Sequence, residues 1–72
     1  MAAHIQAQFG NTLRRLRIKR KLSQEKLAEL ADLHINSIGR IERAQLDPSL
    51  TTIGKIAKAL KVKPSELFRN AH

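Results

Sequence analysis

Two side chains one helical turn apart, Asn36 and Arg40, are of the types that read base edges. A carboxamide pairs at two points with adenine, N6 and N7, and a guanidinium does the same with O6 and N7 of guanine. Upstream, Arg14, Arg15, Arg17, Lys19, Arg20 and Lys21 crowd one short stretch, and no acidic residue precedes Glu25. The 72-residue chain carries 14 Lys and Arg against 6 Asp and Glu, a formal charge of +8. On so small a body that excess favours a polyanion, either nucleic acid or an anionic membrane surface. A solvated basic face would account for some of the same charges without any partner.

Other chemistries find no footing. There is no cysteine, which excludes disulfides and thiolate zinc sites. His4, His34 and His72 lack the spacing of metal ligands, so no metal and no cofactor is expected. No Ser, His and Asp set, phosphate-binding glycine loop or carboxylate pair can be assembled, so no catalytic residue is expected either. The two aromatics, Phe9 and Phe68, fall at apolar-periodic positions. Modules for single strands and RNA instead expose aromatic platforms for stacking bases. No apolar run approaches the length of a membrane span, and Met1 to Gln8 lacks the regions of a signal peptide, so the cytoplasm is the expected location.

The elements that must carry these residues are helices. Strand alternation is absent, and the chain is expected to form one all-α domain over residues 1–72 with five helices and short connections. Ile5, Phe9, Leu13 and Leu16 make one stripe on a helix from about His4 to Lys21, whose basic last turns suit the negative end of the helix dipole. Ser23 caps a second helix with Leu27, Leu30 and Ala31 inward and Ala28 beside them. After a turn at Asp32-Leu33, a third helix starts at His34, points Ile38 and Ile41 inward and closes around Arg43-Ala44. Pro48 marks a loop, and Ser49 caps a fourth helix with Leu50, Ile53, Ile56, Ala57 and Leu60 on one face. Pro64 opens a short fifth helix through Ser65 to Arg69.

The spacing from about residue 24 to 43 is that of a helix-turn-helix: a helix of about eight residues, a turn of roughly three, and a helix of about nine. Ala28 must be small at the crossing, and Asp32 is expected at positive φ. Leu22-Ser23-Gln24-Glu25-Lys26-Leu27-Ala28-Glu29-Leu30-Ala31 and Ile38-Gly39-Arg40-Ile41-Glu42-Arg43 resemble the two motif helices of the lambda-repressor-like (Cro and xenobiotic-response-element type) regulators. Phe9-Gly10 with Leu13-Arg14 and Leu16-Arg17 resembles that family's opening helix. Ile53-Gly54-Lys55-Ile56-Ala57-Lys58-Ala59-Leu60 resembles its fourth. The likeness spans about residues 5–69. Two positions depart from it: Asp32 and Ala44 stand where the family favours glycine, and Ala44 is expected to change the helix end or the following loop locally.

The resemblance implies a sequence-specific regulator that sets its second motif helix in the major groove of duplex DNA. Ile35, Asn36, Ser37 and Arg40 would then contact bases, with Asn36 and Arg40 the leading candidates. Ser23, Gln24, His34, Arg43 and Gln45 would contact phosphates, with Arg14 and Lys21 weaker candidates. Arg17 and Glu42 match positions that pair across the first and third helices, which gives them a structural role. A homodimer on a palindromic operator is expected, with Leu46, Leu50, Val62, Leu67 and Phe68 as its surface. Some of those apolar side chains are needed to close the monomer core. RNA polymerase is a further candidate partner. Phage repressors and controllers of restriction–modification operons have this size. The competing class is an antitoxin or protein-binding adaptor on the same fold.

Overall fold

Each apolar stripe in the chain becomes a helix, and the second, third and fourth helices each begin on a side chain that accepts from a free amide. The structure, a computed structural model, describes residues 2–69, with side chains from residue 4 onward. Helix α1 spans Ala2–Lys19, α2 Gln24–Ala31, α3 Ile35–Glu42 and α4 Leu50–Leu60. A 3-10 helix, Pro64–Phe68, follows. His72, one of the histidines weighed as a metal ligand, lies outside the described residues.

Ser23 Oγ accepts from the amide of Lys26 at 2.9 Å and Ser49 Oγ from that of Thr52 at 3.1 Å. At α3 the cap is His34, whose Nδ1 accepts from the Asn36 amide at 3.1 Å. The fifth helix differs from the α-helix expected. Five residues close too few i→i+4 bonds to hold an α-helix, and the tighter 3-10 winding serves short pieces. Its start is held by the Glu66 carboxylate, which accepts from the Lys63 amide at 2.8 Å.

All four α-helices close in the same way. Lys21, Asp32, Ala44 and Lys61 stand in the left-handed region at φ 56–60°. After α3, the Gln45 amide donates back to the Arg40 carbonyl at 2.7 Å and the Ala44 amide to Ile41 at 3.1 Å. These are the paired bonds of a Schellman motif. The same pairs join Leu22 to Arg17 and Lys21 to Ile18 after α1, Leu33 to Ala28 and Asp32 to Glu29 after α2, and Val62 to Ala57 and Lys61 to Lys58 after α4. Ala44 therefore keeps the left-handed closure, and the departure expected at that helix end does not occur. None of the four is glycine, while the three glycines of the chain all avoid positive φ.

The core gathers Phe9 and Leu13 from α1, Leu27 and Ala28 from α2, and Ile38 and Ile41 from α3. Ile53, Ile56, Ala57 and Leu60 of α4 and Leu67 complete it. Phe9 and Phe68 meet with ring centroids 5.1 Å apart, tilted by 56°. The buried Thr12 hydroxyl donates to the Arg69 carbonyl at 3.0 Å, which ties the end of the 3-10 segment back to α1. Three stripe residues do not reach this core: Ile5, Leu30 and Leu50 are 53%, 51% and 86% exposed. Ile5 and Leu50 lie in the first turns of their helices, and Leu30 flanks a face that Leu27, Ala28 and Ala31 already fill. Leu67, expected at a dimer surface, is completely buried inside the monomer instead, because the 3-10 helix folds it between α1 and α4.

At Gly10, α1 crosses α3 so closely that an added Cβ would lie 2.6 Å from the Glu42 carbonyl oxygen and 2.7 Å from that of Ile41. Backbone atoms cannot yield as a flexible side chain can. Gly10→Ala should therefore cost about 1–3 kcal/mol, the usual penalty of overpacking. Ala44→Gly should raise stability by about 1 kcal/mol, since a Cβ is disfavoured at left-handed φ. Urea melts of the two variants against the parent chain measure both, and equal midpoints would refute them.

Candidate nucleic-acid interface

Helix α3 is held from behind by an ion pair with helpers. Arg17 Nε donates to Glu42 Oε2 at 2.7 Å and its Nη2 to Oε1 at 3.1 Å, a fork-on-fork pairing. Gln24 Nε2 adds a third donor to Oε1 at 3.0 Å, and Arg17 Nη1 donates to the Leu22 carbonyl at 2.8 Å. The side chains of Arg17 and Glu42 are 11% and 3% exposed. One carboxylate thus joins the end of α1, the start of α2 and the end of α3. Arg17 turns inward from the basic stretch, while Arg14, Arg15, Lys19, Arg20 and Lys21 stay exposed.

With Ile38 and Ile41 fully or nearly buried, helical periodicity turns Asn36, Arg40 and Arg43 to the opposite side, where all three are exposed. Ile35 is 40% exposed at the N-terminus of α3, and Ser37 is half-buried on its flank. Of the four residues expected to meet bases, Asn36 and Arg40 share the outward side of this helix, while Ile35 and Ser37 stand on its opposite flanks, with Ser37 the least accessible. Ser23, Gln24 and His34 line up at the N-termini of α2 and α3, where free amides favour an anion. His34 uses Nδ1 as the cap acceptor, so the neutral ring carries its proton on Nε2 as a donor.

Sequence reasoning overlooked the place of Gln45. Its side-chain oxygen accepts from Arg43 Nε at 3.2 Å, and its carbonyl lies 3.5 Å from Arg40 Nη2. The left-handed Ala44 turns the chain so that Gln45 faces both arginines. The link from Gln24 to Glu42 was also missed, since eighteen residues separate them and no periodicity relates their helices. Elsewhere, Lys26 and Glu29 form an exposed pair at 2.8 Å on α2. Their hydrogen bond, then their opposite charges, raise the pKa of the ammonium and lower that of the carboxylate. Such solvated pairs add little to stability.

Leu50 and Phe68 are exposed, Phe68 by 44%, whereas Leu46 and Val62 are half-buried against the core. Phe68 borders a shallow apolar groove with Ile5, Phe9, Pro48 and Ile53, closed at one edge by a hydrogen bond from Gln6 to Asp47. Among the described residues no helix is long and apolar enough to cross a membrane.

A family model described as "Helix-turn-helix" (HTH_3) matches residues 13–67, most of the chain and all of the α2–α3 unit. The chain belongs to this helix-turn-helix family. The control protein C.BamHI of Bacillus amyloliquefaciens is 46% identical over 69 residues, covering 94% of this chain and 85% of its own length. The restriction-modification controller protein C.AhdI from Aeromonas hydrophila superposes with a TM-score of 0.86 at 46% identity, over 88% of this chain and 96% of that one. The immunity repressor of Bacillus phage phi105 is 38% identical over 58 residues, but those cover only 40% of that longer protein. This member of the HTH_3 family is accordingly a DNA-binding transcriptional regulator and not an enzyme.

For this HTH_3 regulator the Glu42 hub should be measurable. Glu42→Gln leaves the buried Arg17 guanidinium without its counter-charge, a loss of about 3 kcal/mol. That figure is the low end for a buried pair, because the Leu22 carbonyl still accepts from Arg17. A thermal melt unchanged by this substitution would show that the pair does not hold α3 in place.

Proposed function

We propose that this regulator controls a restriction–modification operon by binding a palindromic duplex operator as a homodimer. The observation that carries the proposal is the outward side of α3, where Asn36 and Arg40 stand exposed on a helix pinned from behind through Glu42. In this reading α3 enters the major groove. Arg40 takes a guanine, Asn36 an adenine and Ile35 a thymine methyl, while Ser37 serves a base or a phosphate at the groove edge. Ser23, Gln24, His34, Arg43 and Gln45 meet phosphates, which set register and make affinity fall with salt. Gln24 can do so while bonded to Glu42, since its amide keeps a second donor and an acceptor. Likeness to the controllers C.BamHI and C.AhdI supports the operon assignment.

The dimer surface is taken to centre on Leu50 and Phe68 beside the Ile5 groove, with Leu46 and Val62 at its edge. A two-fold dimer would present two α3 helices one DNA turn apart, roughly 34–36 Å. Repression needs only occupancy of such a site, whereas activation would add contact with RNA polymerase.

Selection of bound duplexes from a random pool, at stated salt, should return an inverted repeat. Arg40→Ala should then relax one guanine in each half-site, lowering discrimination there by about 1–3 kcal/mol while other positions keep theirs. A pool that enriches no sequence would end the proposal. Separately, Leu50→Asp should leave the melt of the monomer fold intact and shift the protein from dimer to monomer in light scattering, because that side chain is 86% exposed. A dimer that survives this change must use another face.

A further inference from the structure

Gly39 has no conformational reason to be glycine. It lies inside α3 at ordinary negative φ, where glycine is less favourable to the helix than alanine. No neighbouring helix demands it either. At Gly10 an added Cβ strikes the backbone of α3, and at Gly54 it meets nothing within 4 Å. At Gly39 the nearest atoms all belong to one side chain: Arg43 Nη1 at 3.0 Å, with Cζ and Nη2 both at 3.7 Å. Gly39 is buried although it flanks the outward side of the helix, and the Arg43 head lies against it. From the other side, Gln45 Oε1 accepts from Arg43 Nε at 3.2 Å.

We infer that Gly39 is a positioning residue: its missing side chain is the seat on which the Arg43 guanidinium rests, one turn back along α3. The inference builds on the reading that Arg43 meets a phosphate. Seated on Gly39 and tethered by Gln45, the guanidinium stands on the same side as Asn36 and Arg40 before DNA arrives, with Nη1 and Nη2 left for the ligand. A free arginine must surrender its rotamer freedom on binding, and that loss subtracts from affinity. Pre-ordering removes much of it. A methyl at position 39 would make Nη1 give way by a few tenths of an ångström, which strains the Arg43–Gln45 bond and loosens the guanidinium in its seat, while the helix itself gains stability. If Gly39 instead made room for the DNA backbone, the loss on adding a methyl would not depend on Arg43.

A double-mutant cycle separates these roles. The parent chain, Gly39→Ala, Arg43→Met and the double variant are titrated by fluorescence anisotropy against the selected operator over a salt series, and each is melted. Gly39→Ala should melt higher than the parent yet bind about 2- to 10-fold more weakly, the range expected for one unrestrained arginine. Arg43→Met should bind more weakly and flatten the plot of log affinity against log salt by about 0.9, one phosphate contact. In the Arg43→Met background, Gly39→Ala should cost nothing further. Parental affinity in Gly39→Ala, or a double variant that loses the product of both single effects, overturns the inference. An Arg43→Met protein with parental affinity and slope overturns the phosphate role of Arg43, and the seat loses its purpose. A parent with no operator preference at all overturns the function itself.

Discussion

The carboxylate of Glu42 accepts three N–H bonds, two from Arg17 on α1 and one from Gln24 on α2. Everything outward of α3 depends on that meeting. A helix of eight residues is too short to hold its own position, and Ile38 and Ile41 grip it only along a narrow line. Apolar contact resists separation more than rotation, since it has little directional preference. The planar fork between Arg17 and Glu42 has direction, and it opposes rolling of α3 about its axis. Gly10 acts with it, because the close crossing of α1 brings Arg17 within reach of the end of α3.

The same arrangement separates stability from recognition within a single turn of helix. Inward residues of α3 are aliphatic or belong to the ion-pair network, and outward ones make few protein contacts. Asn36 and Arg40 can therefore be exchanged with little effect on the core. The turn that ends α3 joins the two halves. Ala44 in its left-handed state brings Gln45 to face Arg40 and Arg43, so the backbone closure of the helix also arranges its outward side.

Much of this was legible in the chain itself, and the reasons differ by residue. The helices and caps at Ser23 and Ser49 follow from spacing and local hydrogen bonding, which are properties of neighbouring residues. Asp32 announced its left-handed turn through its type and its place between two stripes. Leu67 misled because an apolar residue near a terminus reads equally as core or as contact surface, and only the path of the 3-10 helix distinguishes them. Ile5 and Leu30 misled because periodicity gives a direction around the helix but not whether another helix reaches that far. Leu50, read both as stripe and as contact surface, is left outside the core for the same reason. The bond from Gln24 to Glu42, that from Arg43 to Gln45 and the contact of Arg43 with Gly39 were missed because they are relations between groups brought together by folding. The Arg17–Glu42 pairing was available only by likeness to a family, since nothing in the spacing of those two residues predicts it.

Non-glycine residues at the left-handed ends of α1, α2 and α4 amount to conformational tension stored away from the outward side of α3. Lys21, Asp32 and Lys61 lie at exposed bends, and their backbones could be relaxed without altering the outward side of α3. Heat tolerance and operator choice can thus drift independently in such a chain. A lineage moving to a warmer habitat has room to gain robustness at its bends while its genetic target stays the same.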